Sequence, residues 1–219
     1  MSRVWDVALR HGSAPCRTTG RSLILTFKLT KAQVKVYPRA SIDVARRVRQ
    51  LSHTLQGQVC QCSGKRIARH VPSVIGAWTA GLHDTDKTVS RAADDAFETV
   101  FSSPEKRQNA FKAYQQPIIE FARDSLLNET EKTLSDERTT TPEDADAKYQ
   151  RLVASCIALV DNVLNRLTPE ETSKHGEVYD ELFTNTNFWG FASSKDAGVR
   201  RALFRLLRTC MESRKGKQS

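Results

Sequence analysis

Apolar and small residues recur at intervals of three and four along most of this chain, and this spacing constrains the fold more than any other feature. Residues at such intervals lie on one face of an α-helix, whereas a half-buried strand alternates apolar and polar residues. The helical spacing dominates from Ser41 onward, and no convincing strand alternation accompanies it. The sequence therefore predicts an all-α fold. The expected buried stripes are Val48, Leu51, Ser52, Leu55 and Val59; Ile67, Val71, Val74, Ile75 and Trp78; Val89, Ala92, Ala93, Ala96, Phe97 and Val100; Phe111, Tyr114, Ile118 and Phe121; Tyr149, Leu152, Val153, Cys156, Val160, Val163, Leu164 and Leu167; and Val199, Ala202, Leu203, Leu206, Leu207 and Cys210.

Helix starts are marked by short polar motifs. Thr141 and Thr168 are each followed by proline and then, three residues after the threonine, by an acidic residue. Threonine caps exposed backbone N–H groups, and proline is favoured at the first helical position. Ser103 begins a similar motif without the acid at that position. Pro117 is expected to break or kink a helix.

A weak internal repeat suggests how the helices stack. Val48 aligns with Val89 at an offset of 41, and the run that begins at Asp86 resembles the run that begins at Asp196. Spacings of roughly 37–41 residues fall in the range of HEAT and armadillo repeats. We therefore expect a HEAT/ARM-like solenoid with Trp78 and Phe97 in its core. Periodicity alone also allows an irregular helical bundle.

Charge and composition change along the chain. Residues 1–70 hold fourteen Lys or Arg and two Asp or Glu, whereas residues 124–147 hold eight acids and two bases. Residues 1–36 lack a sustained period and are expected to be poorly ordered. The expected layout is this segment, a helical-repeat domain over 37–211 with an acidic loop at 128–147, and a basic tail at 212–219. The net charge of +9 favours an anionic partner.

No arrangement of residues predicts catalysis or metal binding. Cys60 and Cys62 lack the two further ligands that a zinc site needs, and the five histidines match no catalytic motif. Asp84 and Asp86 look like helix caps rather than the start of a calcium loop. We therefore expect no catalytic residue, no metal, no cofactor, no small-molecule substrate and no membrane span.

A basic cluster is the candidate binding site. It consists of Arg39, Arg46, Arg47, Arg49, Lys65, Arg66 and Arg69. On a helix Arg46 and Arg49 share a face. A solvated helix face explains such a cluster, and so does contact with RNA phosphates, which gives affinity without reading sequence.

Several specific runs resemble the N-terminal region of fungal listerins. They are residues 37–43 (YPRASID), 46–56 (RRVRQLSHTLQ), 65–72 (KRIARHVP), 74–78 (VIGAW), 89–93 (VSRAA), 134–139 (LSDERT) and 144–149 (DADAKY), and the resemblance extends over about 37–210. Listerins are very large HEAT/ARM-repeat E3 ubiquitin ligases that end in a RING domain. A RING needs about eight Cys and His ligands in order, and this sequence does not supply them. The resemblance therefore implies that the chain is a fragment of such a protein.

The resemblance also implies a function. The family acts in ribosome quality control, where it ubiquitinates incomplete nascent chains on stalled 60S ribosomal subunits for proteasomal degradation. This region is expected to dock on the 60S subunit and on quality-control components in the cytosol. E2 and ubiquitin are expected to be engaged only through the RING, so this chain alone should be inactive. The alternative is a generic HEAT-repeat scaffold that binds an acidic protein.

Overall fold

The computed structural model describes the backbone of residues 34–215 and the side chains of residues 34–212, and this part of the chain is helical with no strand. The expectations for residues 1–33 and for the end of the basic tail lie outside it. The helices are α1 (34–40), α2 (Arg46–Ser63), α3 (Ile75–Gly81), α4 (Lys87–Val100), α5 (Pro104–Ala113), α6 (Gln115–Leu127), α7 (Glu131–Leu134), α8 (Pro142–Arg166), α9 (Pro169–Thr172), α10 (Gly176–Thr184), α11 (Thr186–Gly190) and α12 (Ala197–Lys215). Three 3-10 segments join them, at Gly64–Ser73, Ser173–His175 and Phe191–Ser193.

The helices pack as a layered helical repeat, which confirms the predicted fold class. Helix α2 packs along α4, and α8 packs along α12. Helices α3 and α6 lie between these pairs, with α3 against α6 and α6 against α8. One continuous apolar core runs through the stack from Tyr37 to Leu206.

The predicted helix starts are confirmed. The Thr141 side chain accepts a hydrogen bond from the backbone N–H of Asp144, and Thr168 accepts one from Glu171. The Glu171 side chain returns a bond to the Thr168 N–H and completes a capping box. Ser103 caps α5 in the same manner, through the N–H of Lys106. These caps could be predicted from the sequence because each connects residues only three positions apart.

Of two other local expectations, the one for residues 128–147 is corrected and the one for Pro117 is confirmed. The acidic segment 128–147 is not a continuous loop, since Thr130 caps α7 and Thr141 caps α8 within it. Pro117 interrupts the helical run as expected: it has no N–H for the carbonyl of Ala113, and the run divides at Tyr114 into α5 and α6. The chain changes direction at Tyr114, between α5 and α6.

The face that α2 buries differs from the predicted one. Ser52 and Val59 are buried as expected, but Val48, Leu51 and Leu55 are 41%, 49% and 44% exposed. The helix is rotated by about a quarter turn from the orientation that its apolar spacing predicts. The other residues that it buries are mostly polar: Arg49, His53, Gln56 and Ser63, together with Gly57 and Cys60.

A buried hydrogen bond helps to fix this orientation. The Tyr37 hydroxyl lies 2.8 Å from His53 Nδ1, and both side chains are fully buried. Gly81 makes room for the imidazole, because a Cβ atom at this position would overlap the His53 ring. Burial, and to a lesser degree the Arg49 charge, lower the pKa of His53 to about 4. His53 is therefore neutral in the folded protein at pH 7.

The low pKa of His53 predicts that acid destabilises the fold. The unfolded chain binds a proton at His53 below pH about 6.5, whereas the folded chain resists protonation until about pH 4. Stability is therefore lost as the pH falls from 6.5 toward 4, and His53 alone should cost about 2 kcal/mol at pH 5 relative to pH 7.5. Urea unfolding at the two pH values measures this loss, and the His53→Gln variant should show a smaller one. An equal loss in this variant would contradict the assignment.

Candidate docking surface

The predicted basic residues do not form one cluster. Arg46 and Arg47 lie at the start of α2, whereas Lys65, Arg66 and Arg69 lie on the 3-10 segment beyond its end. The 18 residues of α2 separate the two groups by about 27 Å. We call Arg46 and Arg47 the start patch, and Lys65, Arg66 and Arg69 the 3-10 patch.

Arg49 does not belong to any exposed surface, which corrects the sequence-based prediction. Its side chain is only 4% exposed, and its Nε donates a hydrogen bond to Asp84 Oδ2 at 2.9 Å. Its Nη1 donates to the carbonyl oxygens of Asp43 and Val44 at 2.9 and 3.0 Å. The guanidinium therefore joins the start of α2 to the turn after α3, and it has no free face for a partner.

The start patch is exposed but partly neutralised. Arg46 is 66% exposed, and its Nη1 lies 3.7 Å from Asp86 Oδ2. Arg47 is exposed, and it donates a hydrogen bond to the Gln50 side chain.

Arg39 is also exposed, on α1, and it lies near Lys148. Burial, and then the neighbouring Arg151 and Arg39, lower the pKa of Lys148, whereas Asp43 and Glu129 oppose the shift.

The 3-10 patch presents its three basic side chains to solvent. The stretch from residue 44 to residue 83 contains six Lys or Arg and no Asp or Glu. Along the chain, the acidic residues nearest to Lys65, Arg66 and Arg69 are Asp43 and Asp84. The cations of this patch and the irregular backbone that carries them form the best candidate for contact with an anionic surface.

Sequence reasoning missed the exposed side of α2. Val48, Leu51 and Leu55 lie there at helical spacing, in a line that we call the apolar stripe. The stripe runs along α2 between the two basic patches. The signal that could have revealed it is the polar series Arg49, Ser52, His53 and Gln56, which shares an equally regular spacing on the adjacent face.

No group of three or more His, Cys, Asp or Glu side chains within residues 34–212 is placed to hold a metal ion. Cys60 is buried, and its burial raises the pKa of the thiol to about 12, which makes it a poor nucleophile or ligand. No helix in the described part of the chain is both long and apolar enough to cross a membrane.

Comparison with known proteins identifies the family. A family model described as the N-terminal domain of the E3 ubiquitin-protein ligase listerin matches residues 26–218, a range that extends beyond 37–211 at both ends. The chain is 37% identical to the listerin of Neurospora crassa over 183 residues, which cover 82% of this chain and 11% of the relative.

More distant listerins match the same region. That of Xenopus tropicalis is 30% identical over 173 residues, which cover 79% of this chain and 10% of the relative. That of Drosophila melanogaster is 28% identical over 182 residues, which cover 82% of this chain and 10% of the relative. The chain thus spans about a tenth of the length of these proteins. It belongs to the listerin family of E3 ubiquitin-protein ligases and corresponds to the family's N-terminal domain.

Proposed function

We propose that this domain holds a listerin-type ligase on stalled 60S ribosomal subunits in the cytosol, so that incomplete nascent chains are ubiquitinated and sent for proteasomal degradation. The domain supplies recognition, and ubiquitin transfer belongs to a RING domain outside these residues. The observation that carries the proposal is the family match over residues 26–218.

The surface chemistry supports contact with ribosomal RNA. Lys65, Arg66 and Arg69 are exposed at one end of a stretch without acidic residues. Lysine and arginine bind phosphates by charge and release condensed counterions, so such contacts give affinity that falls steeply with salt. Arg46 and Arg47 are weaker candidates for phosphate contact, because Asp86 partly neutralises the start patch. Arg49 takes no part, since it is buried.

Charge reversal of the 3-10 patch tests this proposal. The Lys65→Glu/Arg66→Glu variant should bind purified 60S subunits about tenfold more weakly in co-sedimentation at moderate salt. The plot of log affinity against log salt should become flatter by about two, one for each lost phosphate contact. Because both side chains are exposed, the melting temperature should change little.

A matched control separates a local contact from a general effect of net charge. Arg201→Glu/Arg208→Glu makes the same charge change on the exposed face of α12. This control should reduce 60S binding much less than Lys65→Glu/Arg66→Glu. Equal losses for the two variants would indicate long-range attraction only, and unchanged binding by a folded Lys65→Glu/Arg66→Glu variant would exclude the 3-10 patch.

A further inference from the structure

The apolar stripe on α2 lies on a helix face that is exposed to solvent. Val48, Leu51 and Leu55 are each more than two fifths exposed, and they lie along about 10 Å of the helix. The solvent-facing side of a helix is usually polar because it meets water. An aligned set of large aliphatic side chains on such a face therefore indicates a binding surface.

Buried polar contacts fix the rotation of α2 that leaves the stripe exposed. A quarter-turn rotation of α2 would bury Val48, Leu51 and Leu55. That rotation would break the ion pair between Arg49 and Asp84 and the hydrogen bond between His53 and Tyr37. The buried polar contacts thus hold α2 in the orientation that leaves its most apolar side free.

A polar groove lies directly beside the stripe. It runs between α2 and α4 with a volume of about 380 Å³. Its floor is the close crossing of the two helices, where a Cβ on Gly57 would lie 2.9 Å from the Ala96 Cβ. Gln50, Gln58, Gln61 and Arg91 line its walls and offer amide and guanidinium donors, and Asp95 is the acid on its lining.

The charged residues of α2 and of the 3-10 patch are all basic, whereas Asp86 and Asp95 lie on the α4 side. Helix α2 contains no Asp or Glu, Arg47 is exposed near its start, and Lys65 and Arg66 lie beyond its end. A partner complementary to this surface has an apolar strip with acidic groups on its flanks and ends. Nucleic acid fits the cations but gains nothing from aliphatic side chains, so the stripe favours a protein.

We propose that the apolar stripe and the adjacent groove dock an amphipathic α-helix of a partner protein, with acidic residues flanking the helix's apolar face. Apolar residues of that helix, spaced three and four apart, cover Val48, Leu51 and Leu55. Its carboxylates reach Arg47, Arg91 and the cations beyond the end of α2. This interaction does not depend on ribosome binding.

A designed peptide tests this surface directly. The probe is a fluorescent helical peptide as long as α2, with leucines along one face and glutamates on both flanks. A control peptide has the same composition with its leucines redistributed around the helix. In fluorescence anisotropy with the full chain, the amphipathic peptide should bind about tenfold more tightly than the control peptide.

Stripe variants assign the binding to these residues. Leu51→Gln/Leu55→Gln should weaken peptide binding by about tenfold. Val36→Gln should have no effect, since Val36 is an equally apolar residue, 58% exposed, on α1 instead. The melting temperature of the double variant should stay close to that of the wild type, because both leucines are already solvent-exposed.

Other results would overturn the proposal. Equal peptide binding by wild type and Leu51→Gln/Leu55→Gln would exclude the stripe, as would equal binding of the two peptides. Self-association in sedimentation velocity that the double variant abolishes would assign the stripe to a second copy of the chain. Stripe-dependent binding of phosphatidylserine vesicles in preference to the peptide would assign it to a lipid surface. If the peptide binds as expected and wild type ignores 60S subunits, only the ribosome-docking function fails.

Discussion

Replacing Asp84 by alanine is expected to destabilise the domain by about 3–5 kcal/mol, because it leaves the Arg49 guanidinium buried without its carboxylate. Asp84 also accepts the N–H of Asp86, and its charge offsets the repulsion between Arg49 and Arg151. Urea unfolding followed by circular dichroism measures the loss. A cost below about 1 kcal/mol would place the pair in the weak class of exposed ion pairs.

Two further variants separate the buried charge from other effects of the substitution. Asp86→Ala removes a nearby aspartate that caps α4 through Thr88, and it should cost only about 1 kcal/mol. The Arg49→Met/Asp84→Leu variant replaces both charges by apolar side chains, so it should recover most of the stability that Asp84→Ala loses. If the double variant is as unstable as Asp84→Ala, then packing rather than an unpaired charge explains the loss.

This ion pair also shows why Arg49 is unsuitable for testing ribosome docking. A charge reversal at Arg49 would place a glutamate beside Asp84 inside the protein. Reduced 60S binding would then report unfolding rather than a lost contact. Lys65 and Arg66 avoid this problem, because both are exposed.

Features that depend on neighbouring residues could be predicted from the sequence. The caps at Ser103, Thr141 and Thr168 each connect residues three positions apart, so the motif contains all of the geometry. The core positions of α4, including Val89, Ala93 and Phe97, also follow from spacing, because this helix buries one apolar face. The all-α class followed from these local signals.

The orientation of α2 could not be predicted in the same way. Its spacing favours burial of Val48, Leu51 and Leu55, and a local pattern gives no reason to bury Arg49 instead. The deciding partner, Asp84, is 35 residues away along the chain. Tyr37, the partner of His53, precedes it by 16 residues. Long-range polar pairing therefore outweighed the apolar spacing.

The basic residues predicted to form one docking cluster lie in two separate places. Short sequence separation suggested that Arg46 and Lys65 lie together, whereas a straight helix carries them to opposite ends. The apolar stripe lies on α2 between these two basic groups. Because the apolar spacing of Val48, Leu51 and Leu55 predicts that they are buried, the sequence alone does not indicate a binding surface there.

Replacing Trp78 by alanine should destabilise the domain by about 3–5 kcal/mol, because the indole is fully buried and the cavity that it leaves would be lined by rigid helices. Its ring meets Phe97 edge to face with centroids 5.4 Å apart, and its Nε1 donates to the Ala93 carbonyl at 3.1 Å. The side chain therefore joins α3 to α4 by packing and by a hydrogen bond.

Trp78→Phe keeps an aromatic ring and should cost clearly less, whereas Phe204→Ala removes a ring that is 56% exposed and should cost least. Circular dichroism in urea gives the three free energies of unfolding without relying on tryptophan fluorescence. If Trp78→Ala costs no more than Phe204→Ala, then the contact between α3 and α4 does not stabilise this end of the solenoid.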